Sequence, residues 1–180
     1  RPNLLARPDR PPPSSYPWAT AYDRLRSGVS APGAGSTRGS DMASIFTRII
    51  QGEIPGRIIW RDDHCVAMVD IRPLHRGHVL VIPVSEVDRW TDLPAETATH
   101  CLGVAHSIGR AQQEALAPER VGLIVAGFEV PHAHIHVVPI DDMTDLDFSR
   151  ADTSADPLDL DLVADELRDT LLAHGHGCVT

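Results

Sequence analysis

The segment His132-Ala133-His134-Ile135-His136 sets three imidazoles at alternate positions. Side chains in a strand alternate between faces, so the three rings share one face while Ala133, Ile135 and Val137 turn to the core. Two chemistries suit such a set: metal ligation, and nucleophilic or acid–base work. Residues four apart in a strand are separated by about 13 Å at roughly 3.3 Å per residue, whereas zinc needs every ligand atom near ~2 Å. Three rings cannot comfortably share one ion, although a pair could, with Glu129, Glu86 or His78 completing the set. Phosphorus chemistry fits better, because a central neutral imidazole can attack phosphorus while flanking donors neutralise the phosphoryl oxygens. His134 is then the candidate nucleophile. Its other ring nitrogen must donate to a fixed acceptor such as a backbone carbonyl, with His132 and His136 setting the environment. The plain alternative is a solvated polar strand face. Of the remaining histidines, His64 and His75 read as exposed loop residues, His100 and His106 as helix residues and His174 and His176 as part of a Gly-rich tail, none with a site role.

The elements that must position these rings follow from pattern. Ser44 caps a short helix with Ile45, Phe46, Ile49 and Ile50 at helical spacing, stopped by Gly52 and Pro55. Residues 57–61 and 65–70 are rich in strand formers and flank the corner Asp62-Asp63-His64, which predicts a hairpin. Residues 77–83 predict a third strand ending at Pro83. Between Pro94 and Leu116, the residues Ala98, Leu102, Ala105, Ile108, Gln112 and Ala115 predict a long helix over one sheet face. Residues 121–126 and 133–139 predict two more antiparallel strands around Gly127. Asp156-Pro157 caps a last helix with Leu160, Val163, Ala164, Leu167 and Leu171 on one stripe. The expected class is α+β: a five-stranded antiparallel sheet with a long covering helix, a short N-terminal helix and a C-terminal helix.

Composition bounds the possibilities. The chain has 180 residues, 42% of them apolar, enough for one domain with a core. Its apolar runs are of strand length, which argues against a membrane helix. Three scattered cysteines indicate neither a disulfide framework nor a thiolate zinc site, and a reducing cytoplasm fits best. Residues 141–180 carry the whole net charge of −9, so the preceding chain is neutral, unlike a protein that grips polymeric nucleic acid. Residues 1–41, with Arg10-Pro-Pro-Pro-Ser-Ser and a Gly/Ser/Pro-rich run from Ala31, are expected to be a disordered arm or non-native extension. The arm's arginines weakly resemble an organellar presequence. The organisation read from sequence is therefore this arm, a catalytic domain over residues 42–140, and an acidic extension with one helix over residues 141–180.

The motif His132-Ala-His-Ile-His-Val-Val resembles the His-x-His-x-His signature of the histidine triad family of nucleotide hydrolases and transferases. Ser44-Ile-Phe-Thr-Arg-Ile-Ile-Gln-Gly-Glu-Ile-Pro55, Asp70-Ile-Arg-Pro73 and Arg76-Gly-His78-Val-Leu-Val-Ile-Pro83 resemble that family's successive segments in order. The likeness spans residues 42–140. It implies a homodimer, without a cofactor, that binds a purine nucleoside monophosphate moiety and cleaves at its α-phosphorus through a nucleotidyl-histidine. His134 matches the family's nucleophile, and His132, His136 and His78 match the histidines around it. Asp70 matches the acid that holds the ribose hydroxyls, while Ile45, Phe46, Ile49, Met68 and Ile71 match positions lining the base and ribose pocket. Each apolar residue taken singly is equally explained as ordinary core.

Two departures stand out. Many bacterial relatives build a structural zinc site from two cysteines and a histidine where this chain has Ser44, Thr47 and Glu86, so no metal is expected there. The family's Gly-Gln-Ser or Gly-Gln-Thr run is replaced by Gly127-Phe128-Glu129 on a shortened loop. The Glu129 carboxylate could repel a phosphate or protonate a leaving group. Beside the hydrolase reading stand a catalytically attenuated nucleotide-binding regulatory module and a metal-dependent hydrolase using a histidine pair.

Overall fold

The structure, a computed structural model, describes residues 43–180, and the N-terminal arm lies outside the described residues. Helix α1 (Ile45–Ile50) begins at Ser44, whose side chain accepts the Thr47 N–H. Strands β1 (Ile58–Arg61) and β2 (Cys65–Val69) form the expected hairpin. Asp62 closes its corner by accepting the backbone N–H groups of His64 and Cys65 and the Trp60 indole N–H. Strand β3 (Val79–Pro83), helix α2 (Ala95–Ala115), strands β4 (Arg120–Ile124) and β5 (Ile135–Ile140), and helix α3 (Pro157–Ala173) complete the main elements. The five strands pair antiparallel in the order β1-β2-β3-β5-β4, so the α+β class read from sequence holds. Among the described residues no helix is long and apolar enough to cross a membrane.

Alternation along the central strands separates two faces. Ala67, Val69, Val79, Val81 and Val137 join one cluster with residues of α2 and α3, including Val104, Ile108, Leu160, Val163 and Leu167. Val66, Met68, Leu80 and Ile82 form a second cluster with Phe46 of α1 on the opposite face. Helix α3 therefore belongs to the main core, and its buried stripe of Leu160, Val163, Ala164, Leu167 and Leu171 is the one that spacing predicts. Arg76 anchors it to the turn before β3 through Asp159 and Glu166.

Two expectations need correction. Helix α2 turns Cys101, Val104, Ala105, Ile108, Ala111 and Gln112 inward, whereas Leu102 is half exposed. Ala105, Ile108 and Gln112 of the expected stripe are buried and Ala115 packs against the core, so Leu102 alone is out of place, with Cys101 and Val104 turned inward beside it. Gln112 reaches from this stripe into the sheet and donates to the carbonyls of Gly77 and Val137 at 2.8 and 3.0 Å. The second correction concerns the histidine strand. β5 begins at Ile135, not Ala133, so His132 and His134 precede it. The β3–β5 ladder runs Val79↔Val137, Leu80↔His136, Val81↔Ile135 and stops short of Pro83, which has no N–H to extend it. In its place the His132 ring bonds the Pro83 carbonyl at 2.8 Å, and Ala133 N–H bonds the Val87 carbonyl at 2.7 Å.

Candidate active site

The three histidines read from spacing do converge, and His78 joins them. All four are buried. The His134 and His136 ring centroids are 4.8 Å apart, those of His78 and His136 5.1 Å, and those of Phe46 and His134, set edge-to-face, 5.1 Å. Each ring is locked by a neighbour whose role is fixed by backbone chemistry. His134 Nδ1 donates to the His132 carbonyl at 2.8 Å, which leaves Nε2 with a free lone pair. His78 Nδ1 accepts the Leu74 N–H at 3.2 Å, so its Nε2 carries the proton and donates to His136 Nδ1 at 3.0 Å. His136 in turn carries its proton on Nε2. His132 donates from Nε2 to Pro83 and accepts the Ser44 hydroxyl at Nδ1, 2.8 Å away.

Burial reinforces this neutral set. It pushes His78 and His136 down to about 3, helped in both by the charge His134 would carry. His132 and His134 are lowered by burial as well, opposed for His134 by the His132 carbonyl, Asp70 and Glu129. A neutral ring with a bare Nε2 is the form that can attack an electrophile. Burial raises the Asp70 carboxyl against the pull of Arg72 and His134. Asp70 accepts the Arg72 N–H at 2.9 Å, and its other oxygen is 3.6 Å from His78 Nδ1.

The apolar residues divide. Phe46 and Met68 are buried in the front-face cluster, and Ile49 packs against it. Ile45 and Ile71 are 41% and 65% exposed, which removes the ordinary-core explanation for these two. A cleft of about 380 Å³ reaches His134 between Asp88, Arg89, Trp90 and the segment Val125–Phe128. None of the base- and ribose-pocket residues expected from sequence lines it, so His134 is the point the two regions share.

Three contacts were not anticipated. Arg72 Nη2 lies 2.9 Å from Glu129 Oε2, so the carboxylate on the altered loop is held by a guanidinium from the Asp70-Ile-Arg turn. Phe148, in a 3-10 turn after β5, stands edge-on to His136 at 5.0 Å. Ser44 and Thr47 gather at His132 Nδ1, with Glu86 behind them accepting the Ser44 N–H and the Thr47 hydroxyl. The resemblance had grouped Ser44, Thr47 and Glu86 at one place without showing what joins them, and the 57-residue separation of Arg72 and Glu129 hid their pairing of opposite charges.

Among the described residues, two groups lie close enough to hold an ion: Asp70, His78 and His136, and Asp62, Cys65 and His100. In the first group, a ligand role would take His78 from its Leu74 or His136 bond. In the second, Asp62 already serves the hairpin corner and lies 2.8 Å from His100. His100 is thus a structural partner, His64 and His106 are exposed, and His75 and His174 stand beside Asp141 and Glu114.

A family model described as the HIT domain matches residues 51–143, more than half of the chain. The chain belongs to the HIT-domain family. It is 33% identical to an uncharacterised HIT-like protein of Methanocaldococcus jannaschii, over 53% of this chain and 77% of the relative. It is 31% identical to the adenosine 5'-monophosphoramidase of Saccharomyces cerevisiae, over 62% of this chain and 74% of that enzyme. A Zn-bound histidine triad family protein from Mycobacterium smegmatis shares the fold, with a TM-score of 0.63 and 30% identity over 76% of this chain and 98% of the other. The histidine cluster described above therefore sits within a HIT fold.

Proposed function

We propose that this HIT protein is a nucleotide hydrolase that cleaves at the α-phosphorus of a nucleoside phosphoramidate or a nucleotide ester or anhydride. The observation that carries the reading is the bond from His134 Nδ1 to the His132 carbonyl, which leaves Nε2 unprotonated and aimed away from the backbone. In this scheme His134 Nε2 forms a bond to phosphorus as the bond to the leaving group breaks. Water then attacks the nucleotidyl-histidine and releases the monophosphate. The His136 Nε2–H, fixed by the His78 relay, is available to a phosphoryl oxygen as charge builds there. Asp70 serves the ribose hydroxyls, and Ile45, Phe46, Ile49, Met68 and Ile71 flank the base. Arg72 offsets the negative charge of Glu129 beside the incoming phosphate, and the leaving group departs toward the cleft beside Trp90. The identity to a phosphoramidase supports the substrate class.

The reading includes a homodimer. Strand β4 is an edge strand with Leu123 48% exposed, a surface suited to a second copy. Intact-mass analysis after brief mixing with adenosine 5'-phosphoramidate tests the chemistry. Wild type should gain one nucleotidyl group and release the monophosphate, and His134→Ala should do neither. Normal turnover by His134→Ala would refute the assignment.

A further inference from the structure

Helix α1 is tied to the histidine segment by a set of hydrogen bonds that the scheme above does not use. Ser44 Oγ accepts the Thr47 N–H at 3.1 Å and donates its own proton to His132 Nδ1. The Thr47 hydroxyl, 3.2 Å from Ser44 Oγ and 3.4 Å from His132 Nδ1, donates to the Glu86 carboxylate. The same carboxylate oxygen accepts the Ser44 backbone N–H at 3.0 Å. Burial alone would raise the Glu86 carboxyl, but the bonds from Thr47 and Ser44 hold it below the usual range. One exposed side chain thus grips the N-cap and first turn of α1 from a segment 39 residues away.

We propose that Glu86 is a positioning residue for the nucleophile, acting through Thr47, Ser44 and His132. The inference rests on reading His134 as that nucleophile. His134 keeps its Nδ1 proton because the His132 carbonyl lies in front of it, so the tautomer is only as fixed as that peptide plane. The plane is held on one side by the His132 ring, pinned between Pro83 and Ser44, and on the other by Ala133 N–H on Val87, the residue after Glu86. Without the carboxylate, the Thr47 hydroxyl and the Ser44 backbone N–H lose their acceptor, and the first turn that aims the Ser44 hydroxyl at His132 is free to move. His132 Nδ1 is then buried without a donor, which the ring relieves by rotating. Phe46, two residues after the cap, leans on His134 and moves with the helix. The segments that shape the nucleotide pocket and the attacking ring are therefore aligned by one carboxylate.

Glu86→Ala and Ser44→Ala, each in the full chain, test this against Glu86→Gln, whose carbonyl still accepts from Ser44 and Thr47. The first readout needs no substrate: the ring-nitrogen NMR spectrum should show His134 as a single Nδ1–H tautomer in wild type and Glu86→Gln, and as a mixture in the two alanine variants. The second is turnover of adenosine 5'-phosphoramidate, where Glu86→Ala should lose about tenfold in kcat with KM within about twofold, and Glu86→Gln should recover most of it. If Ser44→Ala fails to fold for loss of its cap, Thr47→Val removes the link and leaves the cap in place. An unchanged His134 tautomer in Glu86→Ala overturns the proposal, including the case in which only the thermal midpoint falls. If wild type turns over no nucleotide, the hydrolase reading fails, and the tautomer spectrum still decides the positioning role.

Discussion

Acidification should weaken this domain in a way that replacing His78 corrects. His78 and His136 are held at about 3, against an ordinary value of 6.5, chiefly because they are buried. Between those two values the unfolded chain binds protons that the folded domain refuses, so stability is full above about pH 6.5 and falls as pH falls. Each ring contributes a slope of about 1.4 kcal/mol per pH unit in that window, and roughly 2 kcal/mol of loss by pH 5.0 relative to pH 7.5. A domain of ordinary stability, about 5–15 kcal/mol, would feel the pair. His78→Gln suits the test because a glutamine can accept the Leu74 N–H and donate to His136 without titrating. Urea unfolding followed by circular dichroism at pH 7.5, 6.5, 5.5 and 5.0 should give a variant curve flatter than wild type by about 1.4 kcal/mol per unit below pH 6.5. Carboxylates common to both proteins cancel in the difference. These include Asp70, whose raised folded value acts in the opposite sense. Parallel curves would refute the claim that His78 is held neutral in the fold.

On the role proposed for Asp70 at the sugar hydroxyls, Asp70→Asn should raise KM for a ribonucleotide phosphoramidate about tenfold and leave the 2',3'-dideoxy analogue nearly unaffected; steady-state kinetics on the pair checks this. Arg72→Ala, which strips Glu129 of its partner, should lower kcat/KM about tenfold, and adding Glu129→Gln should restore most of it. A double-mutant cycle without recovery would show that the two side chains act separately. Gln112→Leu should cost about 2–4 kcal/mol in urea unfolding at neutral pH, because two buried carbonyls lose their donor at once.

Much of this arrangement was legible in the chain itself, for identifiable reasons. The stripe of α3 could be read because Asp156-Pro157 fixes where the helix starts and large aliphatics repeat after it. In the stripe of α2 only Leu102 was misplaced: Cys101 and Ala111 pack inward without a strong apolar signal, while the larger leucine faces out. Alternation brought His132, His134 and His136 to one side and Pro83 marked the end of its strand, but neither could show that a histidine ring takes over the Pro83 carbonyl. Resemblance to known relatives marked Ser44, Thr47 and Glu86 as a departure. That hydrogen bonds join them and run on to His132 is a tertiary fact, since a resemblance places residues together without showing their bonds. Arg72 escaped notice for a similar reason: a guanidinium's reach is set by its long side chain rather than by any period in the sequence.

The amide of Gln112 carries a mechanical consequence. It spans the seam between β3 and β5 from behind, bonding the carbonyl just before His78 and the one just after His136. The seam has three register pairs, and the amide acts as an added rung beside them. Helix α2 cannot slide or roll by a residue without pulling that rung away from the two relayed rings. Occupancy of the front face should therefore be readable from the back, as slower amide hydrogen exchange in the turn of α2 around Gln112.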